Sequence, residues 1–157
     1  MGLDVKKMVV EDLDEVLSLF KNTIKSSCVK DYNIAQISAW TSLIEDKERW
    51  INKIKNQYFI VVKSQNTIVG FGSLDKNYID LLYVHKRFLR KGVASLIYQT
   101  LKTKSEELGF TKLLTHSSKT AVPFFEVRGF KITKENKVIL KGIEIINFEM
   151  NKTDNYE

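Results

Sequence analysis

The apolar positions of this chain change period several times, and each change marks an element. Residues 5–10 alternate weakly and are apolar enough for a first strand. From Asp12 onward, Leu13, Val16, Leu17, Phe20 and Ile24 recur at the spacing of one helix face. Asn33 is a cap-type residue ahead of a short second helix carrying Ile34, Ile37 and Trp40. Residues 45–55 suit a third helix, with Trp50, Ile51 and Ile54 turned inward. Three strand-like runs follow at 58–63, 68–73 and 78–84, separated by polar turns, which predicts an antiparallel meander. A helix opens after Gly92, with Val93, Leu96, Ile97, Leu101 and Leu108 on one face and Gly109 as a left-handed stop. Next come a strand over 111–116 and a short helix from Pro123 to about Arg128, stopped by Gly129. Strands near 130–137 and 143–150 close the chain. This order predicts an α/β fold: a mixed α+β sheet with helices on its faces and one parallel crossover through the 92–108 helix.

Composition narrows the class without naming a function. A chain of 157 residues that is 43% apolar is long enough for one real core, so a single domain over 1–157 is expected. The net charge of +6 fits nucleic acid, an acidic membrane surface or a phosphorylated cofactor. Cys28 is alone, makes no internal disulfide, and reads as a small structural thiol in a reducing compartment. The first residues lack the apolar core of a signal peptide, and the apolar run 58–62 is too short to span a bilayer, so a cytoplasmic location is expected. His85 and His116 stand apart with no cysteine pair near either, so no metal site is expected.

Charge becomes informative where it meets the period change. The segment His85-Lys-Arg-Phe-Leu-Arg-Lys-Gly-Val-Ala94 joins a strand to a helix and packs Lys86, Arg87, Arg90 and Lys91 around Gly92. Strand, basic glycine loop and helix together present backbone N–H groups and a helix N-terminus to an anion, a phosphate above all.

Leu82-Tyr-Val followed by that loop resembles the acetyl-CoA signature of the GNAT superfamily of N-acetyltransferases, Gln/Arg-x-x-Gly-x-Gly/Ala. Ser118-x-x-Ala121-x-Pro-Phe-Phe-Glu-x-x-Gly129-Phe130 is similar to the family's later Asn-x-x-Ala…Tyr-Glu-x-x-Gly-Phe segment. Tyr32…Gln36…Ala39-Trp40 and Lys141-Gly142…Asn147-Phe148-x-Met150 look like the YafP-like branch of small bacterial members. The resemblance covers nearly the whole chain in the right order. It implies a predominantly antiparallel sheet splayed between its fourth and fifth strands, with acetyl-CoA (coenzyme A) as cofactor. Leu82, Tyr83 and Val84 would line the pantetheine track, bonded through the backbone at Leu82 and Val84. Leu89, Arg90, Lys91, Gly92, Val93, Ala94 and Ser95 would cradle the pyrophosphate, with Ser118, Phe124 and Phe125 also against the cofactor. Gly92 and Ala94 suit that role because a bulky side chain would hold the phosphate off the backbone.

The implied reaction is acetyl transfer to a primary amine by direct attack in a ternary complex. Such an amine needs deprotonation, because an alkylammonium has a pKa of about 10. Asp80 is the first candidate for the base, on the assumption that alternation with Ile79 and Leu81 points its carboxylate into the cleft; the competing reading is a solvent-facing strand residue. His116 is the second, with an ordinary strand-end histidine as its competitor. Two departures from the family pattern stand out. Leu89 occupies the Gln/Arg position, which removes a side-chain contact but leaves the main-chain N–H. Phe125 occupies the position where many members have a tyrosine acid, so Tyr83, Tyr98 or Ser118 would supply the proton, or the thiolate leaves without one. Ser118 reads equally as a helix cap, and Tyr32 and Trp40 either wall an acceptor pocket or, for Trp40, belong to the core. The acceptor would be a small-molecule or peptide amine, and the chain a monomer or homodimer, with no nucleic-acid or membrane partner. The substitution at Phe125 prompts one alternative, an acyl-CoA-binding module without turnover. Net charge prompts another, nucleic-acid binding, but no basic helix interleaved with exposed aromatics supports it.

Overall fold

The computed structural model describes residues 2–153. Its elements are β1 (Asp4–Lys7), α1 (Leu13–Ser27), α2 (Ile34–Thr41), α3 (Lys47–Asn56), β2 (Tyr58–Ser64), β3 (Thr67–Asp75), β4 (Tyr78–Val84), α4 (Val93–Glu107), β5 (Lys112–Ser118), α5 (Val122–Val127), β6 (Lys131–Leu140) and β7 (Ile143–Thr153). The predicted order is present, with shifted edges. The first strand ends at Lys7 because Asp12 accepts a hydrogen bond from the Val9 N–H (3.1 Å) and turns 10–12 into a short 3₁₀ segment. The third helix starts at Lys47 because the Asp46 carboxylate caps it, accepting from the Arg49 N–H (3.2 Å); residues 42–45 form a separate 3₁₀ turn. Asn33 caps α2 as expected, in a reciprocal box with Gln36. Of the apolar residues carried by α2, Ile34 is 88% exposed beside the cap, and Leu108 lies beyond the end of α4, exposed.

The sheet runs β1-β2-β3-β4-β5-β7-β6, and β4–β5 is its one parallel pair. One face packs on α1, α2 and α3 through Phe20, Trp50, Phe59 and Phe71; the other packs on α4 and α5 through Ile60, Ile79, Ile97 and Leu101. The α3 helix is held in place by Trp50, whose indole N–H donates to the Leu43 carbonyl (3.0 Å) while its ring meets Phe20 edge-on.

Two features of the middle strands set up everything near β4. First, Ser73 pairs with Leu81 and Leu74 with Ile79, which leaves Asp80 as a one-residue bulge in β4. Ile79 therefore faces the α4 side and Leu81 the α1–α3 side, whereas plain alternation would put both on one face. Second, Gly70 and Gly72 let α4 lie unusually close to β3. A Cβ on Gly72 would sit 2.5 Å from the Ile97 Cγ2, and one on Gly70 2.7 Å from the Val93 Cγ1.

Gly72→Ala should lower stability by about 1–3 kcal/mol through overpacking, although alanine is normally the better strand residue. Urea denaturation checks it; a raised midpoint would show that α4 is not held by this close approach.

Candidate active site

The parallel β4–β5 pair is only two residues long, Tyr78↔Leu114 and Ile79↔Thr115, and the Thr115 hydroxyl locks its end by donating to the Ile79 carbonyl (2.9 Å). At the next residue β4 bulges, and a bulge bends its strand. The two strands part there and leave a cleft of about 450 Å³. The His85 N–H donates to the Val69 carbonyl (2.8 Å), so by ladder parity the backbone groups of Leu82 and Val84 face away from β3 and toward the opened edge. The Val84 carbonyl is already engaged, accepting from the Thr23 hydroxyl of α1 (2.9 Å).

Beyond β4 the chain enters the basic loop. Lys86–Phe88 form a 3₁₀ turn capped by His85, whose Nδ1 accepts from the Arg87 N–H (3.1 Å). Arg90 (φ 61°) and Gly92 (φ 85°) both adopt left-handed backbone, which winds the loop tightly onto the first turn of α4. No side chain caps α4 and its first turn holds no acidic residue. The first internal bond is from the Leu96 N–H to the Gly92 carbonyl, so the N–H groups of Val93, Ala94 and Ser95 lack helical partners. A Cβ at Gly92 would meet no protein atom within 4 Å, so the space over the loop is open. Lys86, Arg87, Arg90 and Lys91 make no ion pair among the described residues. Open N–H donors, unneutralised cations and an empty approach over glycine fit a pyrophosphate.

The sequence-predicted residues divide into three groups. Leu82, Tyr83, Val84, Leu89, Ser118 and Phe125 line the cleft, as do Asp80 and His116. Arg90, Lys91, Gly92, Val93 and Ala94 form the loop and helix turn that continue from Leu89. Ser95 and Phe124 do not line the cleft. Arg128 draws both into the α4–α5 contact, donating to the Ser95 hydroxyl oxygen (2.7 Å) and stacking on the Phe124 ring at 3.6 Å. Tyr98 packs there too, against Phe124 and Phe130. The Ser118 hydroxyl accepts from the Ala121 N–H (3.2 Å), so it serves as the cap of the turn into α5. Trp40 is half-buried, meets Tyr32 edge-on and lines the cleft, so it walls the pocket rather than filling the core.

The candidate proton carriers sit in contrasting surroundings. Asp80, placed by the bulge, turns to α3: its Oδ2 accepts from the Lys53 ammonium and from the Gln57 amide (2.9 Å), and its Oδ1 takes no bond among the described residues. It is thus neither solvent-facing nor pointed by simple alternation. His116 is exposed on β5, two residues before the strand ends, its ring edge-on to Tyr78 and its Nε2 4.0 Å from the Glu149 carboxylate. Tyr83 packs between Phe20 and Phe71. Burial pushes its phenol strongly up, with the negative potential of Cys28 and Asp80 adding to the shift. Burial likewise raises Tyr78, to about 12. Lys53, Gln57 and Arg49 escaped the sequence reading. Arg49 and Lys53 flank the inward Trp50 on α3 and Gln57 follows its end, but the meeting of Lys53 and Gln57 with Asp80 depends on how α3 crosses the sheet.

The profile of the acetyltransferase (GNAT) domain matches residues 28–152. The chain belongs to the GNAT acetyltransferase family. It is 34% identical over 150 residues to the N-acetyltransferase YafP of Escherichia coli K12, covering 95% of each chain. Its fold superposes on a GCN5-related N-acetyltransferase from Rhodopseudomonas palustris with a TM-score of 0.93, at 26% identity over 98% of this chain and 96% of the other. It also superposes on the PaiA N-acetyltransferase of Thermoplasma acidophilum, solved with coenzyme A, with a TM-score of 0.82 at 17% identity over 98% of this chain and 100% of the other. This GNAT chain is accordingly an N-acetyltransferase by family, and its splayed mixed sheet is the expected one. Among the described residues no helix is long and apolar enough to cross a membrane, and no group of three or more metal-ligating side chains is found.

The raised tyrosines give this GNAT domain a pH signature. The folded chain keeps phenol protons that the unfolded chain loses above pH about 10, so stability is fully present below that pH and falls as pH rises further. Denaturation midpoints between pH 8 and 11 should show the fall, and Tyr83→Phe should make it shallower. An unchanged slope in that variant would place the titration elsewhere.

Proposed function

We propose that the chain catalyses transfer of the acetyl group of acetyl-CoA to a primary amine held on the α1–α3 side of the cleft. One observation carries this reading: the edge of β4 that the bulge leaves without a partner strand runs directly into the open N-terminus of α4. The backbone at Leu82 and Val84 then serves the pantetheine arm, and the N–H groups of Gly92 to Ser95 serve the pyrophosphate. The four loop cations surround the remaining phosphate charge. Acetyl-CoA supplies an acyl group activated as a thioester. In the transfer, the amine N–C bond forms, the C–S bond breaks, and the amine gives up a proton.

Asp80 is the base in this reading. Lys53 and Gln57 fix one carboxylate oxygen, and Oδ1 remains for the amine, directly or through one water. The position follows from the bulge, which puts this residue on the acceptor side beside the opened β4 edge. His116 stands on the far wall and serves as the alternative base. Tyr83 is a poor acid, since a phenol raised so far above its usual range gives up its proton reluctantly; a thiolate needs no dedicated acid to depart, its pKa being about 8.5 for a simple thiol. Phe125 then contributes an apolar surface to the cofactor side of the cleft. Because that residue carries no hydroxyl, the second reading is an acyl-CoA-binding module without turnover.

Calorimetry with acetyl-CoA and a thiol-release assay across an amine panel separate the two. Micromolar binding with amine-dependent release is the expected result. Binding without release would favour the binding module, and absence of binding would overturn both. Asp80→Asn should retain acetyl-CoA binding and lose about 10²–10⁴-fold in kcat/KM; retention of full activity would remove Asp80 as the base.

A further inference from the structure

The acceptor side of the cleft is rich in rings and poor in carboxylates. Phe20, Trp40, Leu43, Trp50, Tyr83 and Ile145 wall it. Apart from the imidazole of His116, the charged residues lining the whole cleft are Asp80, Lys53 and Arg49. Asp80 and Lys53 pair with each other. Arg49 stands one helical turn from Lys53 on α3, so the two side chains are neighbours on one helix flank. Its guanidinium is exposed and in no ion pair among the described residues.

This balance selects among amines. A polyamine or aminoglycoside brings several ammonium groups and needs several carboxylates; here two cations and one carboxylate meet it. An extended peptide is disfavoured by the segment from Cys28 to Thr41, which is tied across the cleft. The Tyr32 hydroxyl donates to the Ile146 carbonyl (2.7 Å) and accepts from the Lys119 N–H (2.9 Å). The Thr120 hydroxyl donates to Asp31 (2.8 Å), and the Gln36 amide donates to the Glu144 carbonyl (3.0 Å). What remains is a compartment with an apolar aromatic interior, a carboxylate with one oxygen unbonded and, among the described residues, an unpaired guanidinium lining the same cleft.

We propose that the acceptor is a free α-amino acid with an aromatic or branched apolar side chain. Its amino group meets Asp80 Oδ1, its carboxylate pairs with Arg49, and its side chain enters the space bounded by Trp40, Trp50 and Tyr83. Three separate features of the cleft are thereby used by one small molecule whose amine and carboxylate share a carbon. Arginine suits the carboxylate because its planar fork binds both oxygens. The proposal rests on the acetyl-transfer reading of the same cleft.

The test is thiol release by the full chain with acetyl-CoA and L-phenylalanine, L-leucine, 2-phenylethylamine, spermidine or phenylalanyl-glycyl-glycine as acceptor. L-phenylalanine or L-leucine should exceed the other three by about tenfold or more in kcat/KM, the worth of one charge-assisted pair. Arg49→Gln should raise KM for the amino acid by a similar factor and narrow its advantage over 2-phenylethylamine, which has the same ring and no carboxylate. Equal or better use of spermidine, the peptide or 2-phenylethylamine would overturn the proposal, as would equal losses on both aromatic amines in Arg49→Gln. If acetyl-CoA binds and no amine is turned over, transfer fails as the function. Calorimetry of L-phenylalanine on the protein saturated with coenzyme A then decides the amino-acid site alone: binding weakened by Arg49→Gln supports it, and no binding overturns it.

Discussion

A single residue inserted into β4 organises the functional half of this molecule. Asp80 has no partner on β3, and the phase of the strand changes across it. Ile79 is spent on the α4 core and Leu81 on the α1–α3 core, which no regular strand could do with residues two apart. The bend that accompanies the bulge falls one residue after the last rung of the β4–β5 pair. Splay, unpaired edge and placement of a carboxylate on the acceptor side are therefore one event. Removing any of them separately would require rebuilding the strand.

The opened edge leads to the N-terminus of α4, and the distance between them is set by packing on the other face. Gly70 and Gly72 leave room for Val93 and Ile97, so the first turns of α4 lie hard against β3. The start of α4 is thereby fixed against the strand that neighbours β4. The loop between them has little slack, with left-handed backbone at Arg90 and Gly92. Arg90 accepts the mild cost of that conformation, which a non-glycine residue rarely adopts. The strand edge and the helix end behave as one rigid surface, the condition for aligning a long ligand without ordering costs at each binding event.

Much of this was legible in the sequence, and the reason is local. Helix faces, caps and turn residues announce themselves within a few positions, as with Asn33 and Gln36, or Pro123 and Gly129. The basic loop before α4 is likewise one contiguous segment. What failed was non-local. Alternation from Ile79 to Leu81 presumed a regular strand, and a bulge depends on the partner strand's register, which the sequence of β4 alone does not show. Ile34 is apolar, yet its place beside a helix cap turns it to solvent. That Arg128, from the end of α5, engages the side chains of Ser95 and Phe124 is likewise not visible in their own motifs.

The same limit explains the contrast between the two halves of the cleft. The proposed cofactor side relies on backbone, and backbone donors survive side-chain change: Leu89 in place of Gln or Arg leaves the N–H in position. Its acceptor side is made of side chains from α1, α2, α3, β4 and β7, brought together only by the fold. Asp80 illustrates the dependence. Its geometry is imposed by the bulge, one of its oxygens is held by Lys53 of α3 and by Gln57 just past its end, and α3 is in turn held by the Trp50 indole on Leu43. In the proposed transfer, a carboxylate supported in this way needs no neighbouring hydroxyl to orient it. In that reading, Phe125 in place of a tyrosine bears only on the departing thiolate, the group that needs a proton least.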